Sequence, residues 1–150
     1  MICVTELKST CPIVSKRSYM AFLPAVLLTV GIAVISLWEA PQLPPPVLSL
    51  GDKVLHGLMY TLLAVSWAIP VSKCPMPNVR CPIGRAAVVC LSVTAYGGVL
   101  ELLQRYCTRT RSGEWLDLLA DFLGAAVGVT IVMIFRNIEI SKSRNIEVPK

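Results

Sequence analysis

Four stretches of this chain, residues 20–38, 53–71, 86–103 and 115–135, carry few charges and are long enough to be helices crossing a bilayer, whose hydrocarbon core is roughly 30 Å thick. Inside lipid no water satisfies the backbone, so such stretches fold as helices that satisfy it internally. With 55% of its 150 residues hydrophobic and 15% charged, the chain falls well outside the range of water-soluble domains, in which about a quarter of residues are charged. The expected fold class is therefore all-α, an integral membrane bundle of four transmembrane helices. Residues 1–19 and 136–150 form tails around one membrane domain, 20–135.

The basic residues set an orientation. Lys8, Lys16, Arg17, Lys73, Arg80, Arg85, Arg136, Lys142, Arg144 and Lys150 fall on one side of this layout, and Lys53, Arg105, Arg109 and Arg111 on the other. Positive residues are retained in the cytoplasm, so both termini are expected there. The basic residues before the first stretch resemble the start of a signal peptide, but its length and the lack of a small-residue cleavage site after Trp38 mark it as a retained span. Residues 41–46, PQLPPP, read as an extended linker, followed by a short interfacial segment at 47–50. Tyr19, Trp38, Trp67, Tyr106 and Trp115 fall near the expected interfaces. Of the six cysteines, Cys3, Cys11, Cys74 and Cys81 can be arranged as a four-thiolate zinc site, but neither pair has the short spacing typical of one, and unpaired thiols fit better.

Most of the acids lie in or beside the outer half of this layout: Glu39, Asp52, Glu101, Glu114, Asp117 and Asp121, together with the single histidine, His56. A charge within the membrane is costly unless it faces a partner, a watery cavity or a substrate. Helical rise puts Asp52, His56 and Tyr60 on one face of the second span, Glu101 and Gln104 near the outer end of the third, and Asp117 and Asp121 near the outer end of the fourth. Polar groups from three spans thus meet at one depth, close to lipid headgroups. Lys53, Arg109 and Arg111 suit an anion such as phosphate, and His56 beside a carboxylate suits proton transfer or nucleophilic attack.

Each residue also has a plainer use. Asp52 and Lys53 can cap and flank the second span; His56 and Tyr60 can be a packing pair; Glu101 and Gln104 can tie helices together; the arginines can touch lipid phosphates without selectivity. Gly124 and Gly128 are explained by close helix packing, which leaves Asp117 and Asp121 unexplained. One histidine among carboxylates also makes a metal conceivable, although no metal ligand is assigned here and no cofactor is named.

The ordered set Asp52-Lys53-x-x-His56-x-x-x-Tyr60, Glu101-x-x-Gln104, Arg111 with Glu114-x-x-Asp117, and Asp121-x-x-Gly124-x-x-x-Gly128 resembles the VanZ-like family of small bacterial membrane proteins across about 20–135. That resemblance implies a protein of the bacterial cytoplasmic membrane, a link to resistance against the glycopeptide teicoplanin, and action on a phosphate-containing lipid or lipid-linked envelope intermediate. On that analogy His56, Glu101 and Asp117 are the catalytic candidates. Lys53, Gln104 and Arg111 position the phosphate, with Asp52, Tyr60 and Asp121 completing the substrate site. The family more often has Asn where Asp121 stands, and the Cys- and Pro-rich loop 73–85 is peculiar to this chain. Two other function classes remain open: a non-catalytic binder of envelope lipids or of a partner complex, and, ranked last, a transporter.

Overall fold

The structure is a computed structural model that describes residues 16–38, 45–73, 81–107 and 115–146. All four elements are α-helices: α1 (Lys16–Leu37), α2 (Pro45–Lys73), α3 (Pro82–Cys107) and α4 (Trp115–Ile146). Each contains a segment long and apolar enough to cross a membrane, and there is no strand among the described residues. This is the architecture of a multi-pass membrane protein.

Pairings between helices give the topology. Thr29 meets Tyr96 and Ser36 meets Gln104, so α1 and α3 run the same way. Gly57 lies against Gly124, and Thr61 against Gly128, so α2 and α4 run the same way. His56 faces Glu101 while Tyr60 faces Gly97, which makes α2 antiparallel to α3. The bundle is thus up-down-up-down. The start of α1 and the end of α4 share one end, called here the terminal end; the opposite end holds His56, Glu101 and Asp117 and is called the site end.

Beside an apolar core that includes Leu63, Val93 and Leu100, many large apolar side chains face outward and several polar ones inward. Leu58, Leu62, Leu91 and Leu123 are exposed, whereas His56, Gln104, Asp117 and Asp121 are buried. Lipid tails are as apolar as leucine, so leucine gains nothing by facing inward, and helices associate through small residues and interhelical hydrogen bonds. The closest helix pair shows both devices. A Cβ on Gly124 would overlap the Gly57 carbonyl, and one on Gly128 would stand 2.6 Å from the Thr61 carbonyl oxygen and 2.9 Å from the Ala64 Cβ. Thr61 Oγ1 donates to the Gly57 carbonyl at 2.7 Å and is 3.0 Å from that of Gly124, so one hydroxyl spans both helices. α1 is held by polar ties: Tyr96 donates to the Thr29 carbonyl at 2.6 Å, and Trp67 Nε1 donates to Thr29 Oγ1 at 3.2 Å.

Helix ends follow ordinary rules. Pro45 and Pro82 open α2 and α3, where a missing N–H costs nothing. Cys81 precedes α3 and caps it, its sulfur accepting from Gly84 N at 3.2 Å. At the terminal end Arg85 and Arg136 both donate to the Ser72 carbonyl, at 3.2 and 2.8 Å, placing two cations at the negative pole of α2.

Several details differ from the sequence expectation. α2 begins at Pro45, so the end of the PQLPPP stretch and the expected interfacial segment 47–50 belong to one continuous helix. A rigid proline φ near −65° is compatible with the first helical turn as well as with an extended linker. α4 continues through 136–146, carrying the expected basic tail as helix. At about 1.5 Å per residue it is about 48 Å long, longer than a bilayer core. Trp38, Tyr106 and Trp115 are exposed at the site end, but Trp67 turns inward to Thr29 and packs its ring 6.0 Å from that of Phe22. Cys81 and Cys90 are free thiols; Cys3, Cys11 and Cys74, the rest of the conceivable zinc set, lie outside the described residues.

The glycine contacts generate a test. Gly124→Ala and Gly128→Ala should each lower thermal stability in detergent, by about 1–3 kcal/mol for overpacking a close contact. Gly31→Ala, where an added Cβ meets nothing within 4 Å, should leave it unchanged or raise it slightly. Equal melting temperatures for all three would contradict the α2–α4 packing.

Candidate functional site

At the site end, α2, α3 and α4 each contribute an ionisable side chain to one cluster. His56 Nδ1 lies 3.0 Å from Asp121 Oδ1 and 3.9 Å from Glu101 Oε1. The first distance is a hydrogen bond; the second is an ionic contact whenever the ring is protonated. One helical turn closer to the bundle end, Lys53 Nζ lies 3.5 Å from Asp117 Oδ1. Residues 45 to 65 positions apart in sequence thus meet near one depth, as helix rise predicts.

Asp121 is the centre of this arrangement. Its exposure is 0%, the lowest of any charged residue among those described. Oδ1 meets His56, while Oδ2 has no hydrogen-bond partner among the described residues. It fits because the facing residue of α3 is Gly97: a Cβ there would overlap Asp121 Oδ2 and approach Tyr60 Cε1 to 2.9 Å. Below it the Tyr60 ring stacks parallel to the His56 ring, with centroids 6.2 Å apart, and meets the Tyr96 ring at 6.5 Å. These rings floor the polar cluster and fix the imidazole plane.

The residues expected at a substrate site divide into three groups. His56, Glu101 and Asp121 are brought together, and Lys53 with Asp117 forms an adjacent pair. Tyr60, at 2% exposure, is buried beneath the cluster, and Gln104 donates to the Ser36 carbonyl at 2.9 Å, so both visibly hold helices together. The Asp52 side chain, Arg109, Arg111 and Glu114 lie outside what the structure describes. The acid nearest His56 is Asp121, expected only to bind substrate, while Asp117, expected to be catalytic, pairs with Lys53. Register explains this: four residues further along α4 is one turn deeper, level with His56 on α2. Sequence reading missed Gly97 and Tyr96. The glycine pair Gly97-Gly98 was visible, but only the burial of Asp121 says why one of them must lack a side chain.

Inward from the cluster an apolar cavity of about 310 Å³ lies between α1, α2 and α3. Leu63, Trp67, Val93 and Tyr96 are among its walls, and Tyr96 separates it from Tyr60 and the polar groups.

No protein-family model, no curated protein and no solved structure matches the chain.

The His56–Asp121 contact predicts a substitution pattern. Asp121→Leu removes the partner of a buried ring nitrogen and should cost about 1–3 kcal/mol. Asp121→Asn, which keeps an acceptor of the same shape, should cost less. Thermal melts in detergent check the order, and a Leu variant as stable as the parent would contradict it.

Proposed function

We propose that this chain is a VanZ-like membrane protein that processes a phosphate-containing lipid or lipid-linked envelope intermediate. In this reading it lies in the bacterial cytoplasmic membrane with both termini in the cytoplasm, and the site end faces the outer leaflet. The observation that carries it is the meeting of His56, Glu101 and Asp121, from separate helices, beside the Lys53–Asp117 pair at one end of a lipid-facing bundle. Buried ionisable groups of this kind are retained in membranes where they serve a substrate or a pathway.

The chemistry follows from the side chains. Lys53, with Arg111 from the adjoining connection, supplies positive charge for phosphate oxygens. His56 is the side chain of the cluster suited to passing a proton, and Asp121 at 3.0 Å orients its ring. The apolar cavity of about 310 Å³, on the far side of Tyr96, offers room for apolar chain within the same bundle. Low-level teicoplanin resistance would follow from an altered envelope lipid.

The burial of Tyr60 and the use of Gln104 on the Ser36 carbonyl favour a second reading. Residues with a packing use of this kind suit a non-catalytic binder of envelope lipids or of a partner complex. Transport ranks below both.

One experiment separates them. Lipid profiles and teicoplanin susceptibility are compared in a bacterial host expressing the parent, His56→Ala, Glu101→Gln or Arg111→Ala at equal membrane levels. The enzymatic reading expects a lipid change that His56→Ala and Glu101→Gln reduce at least a hundredfold, the usual scale for loss of acid–base catalysis. The binding reading expects Arg111→Ala to weaken the effect while His56→Ala leaves it intact. A parent that changes no lipid, with all variants equal to it in susceptibility, overturns both.

A further inference from the structure

We propose that His56, Glu101 and Asp121 form the protein side of a divalent metal site for a first-row ion such as Mn2+ or Zn2+. Each residue offers one ligand atom, and these atoms all lie within 4.8 Å of one another. Around an ion with bonds of about 2.1 Å, neighbouring ligands in octahedral or tetrahedral geometry stand roughly 3.0–3.5 Å apart. The separation of 3.0 Å between His56 Nδ1 and Asp121 Oδ1 already fits, the 3.9 Å to Glu101 Oε1 needs a shift of a few tenths of an ångström, and the two carboxylates, within 4.8 Å of each other, draw together around the ion.

A second observation points to a ligand independently of this spacing. Asp121 has no exposed surface, and its Oδ2 has no hydrogen-bond partner among the described residues. An acceptor sealed away from water in this state is costly, more so when charged. Packing of Gly97 against that oxygen shows that α3 is shaped to leave it room, although an alanine there would otherwise suit a helix better. Two ionised carboxylates within 4.8 Å of each other also repel. A divalent ion would offset the charge of Glu101 and Asp121 when both are ionised.

The donor set selects the ion. One nitrogen and two carboxylates suit Mn2+ or Zn2+; Ca2+ requires six to eight oxygens and Cu(I) prefers sulfur. When Nδ1 becomes a ligand, any proton held between it and Oδ1 leaves for solvent. Three protein ligands leave coordination positions open. The role of the ion rests on the phosphate reading: at an open position it would polarise a phosphoryl oxygen, with Lys53 one turn away. Binding of the ion itself does not depend on a lipid substrate.

Mn2+ is the probe of choice, because thiolates are poor ligands for it and the cysteines will not compete. The full chain, purified in detergent and stripped with chelator, is titrated with Mn2+ while free ion is followed by electron paramagnetic resonance. The expected result is one site per chain, weakened at least tenfold in both Asp121→Asn and Glu101→Gln, with helix content retained by circular dichroism. A second measurement needs no variant. His56 is the single histidine, so selective 15N-histidine labelling gives one ring, whose signals should broaden away at one equivalent of Mn2+. Absence of a stoichiometric site, binding unaltered in both variants, or ring signals that persist would overturn the proposal. Mn2+ binding to a parent chain that alters no lipid would retain the metal site and remove the phosphate reading.

Discussion

The bundle is organised around a carboxylate that water does not reach. Asp121 sits on a helix whose neighbouring side chains Phe122 and Leu123 face lipid, and its own exposure is 0%. Such a group is kept only if its surroundings compensate its desolvation. His56 provides part of that compensation through Nδ1 at 3.0 Å, and Gly97 provides the space. Moving any one of α2, α3 or α4 by a single residue would take a member of this set away from the others. The polar contact therefore specifies register where apolar surfaces against lipid specify little.

Close backbone approach makes the contact attainable. α2 and α4 touch through Gly57, Gly124, Gly128 and Ala64, with Thr61 joining the two backbones. A larger residue at either α4 glycine would separate the helices and lengthen the His56–Asp121 distance. Small-residue packing and the polar cluster lie one turn apart on the same face of α4, so structural and chemical demands fall on one stripe. α1 stands somewhat apart from this arrangement. It is tied by Thr29 and Ser36 to Trp67, Tyr96 and Gln104, and contributes to the apolar cavity but not to the ionisable cluster.

Much of this was legible in the sequence, and the reason is specific to membranes. Apolar runs bounded by charges announce helices directly, because lipid leaves the backbone no alternative. Helix rise alone then put His56, Glu101, Asp117 and Asp121 near one depth. Depth is only one coordinate. Which acid faces His56 depends on helix rotation, and the bland outward leucines around α4 do not reveal it; Asp121 and Asp117 are a turn apart and equally plausible from spacing. Pro45 and Pro46 read as linker because proline favours extended chain as readily as a first helical turn. Gln104 and Tyr60 look like substrate groups in a motif, yet polar atoms that tie helices together and polar atoms that meet a ligand have the same composition. Packing alone separates them.

A distance measured in lipid tests the central claim most directly. With 15N-histidine and 13C-carboxyl aspartate incorporated into the chain in bilayers, solid-state dipolar recoupling reports the separation of the single imidazole from the carboxyls of Asp52, Asp117 and Asp121. Hydrogen-bond range between Nδ1 and one carboxyl, lost in Asp121→Asn, is the predicted result. No recoupling at that range, or a close contact that survives Asp121→Asn, would mean that α2 and α4 do not bring these groups together.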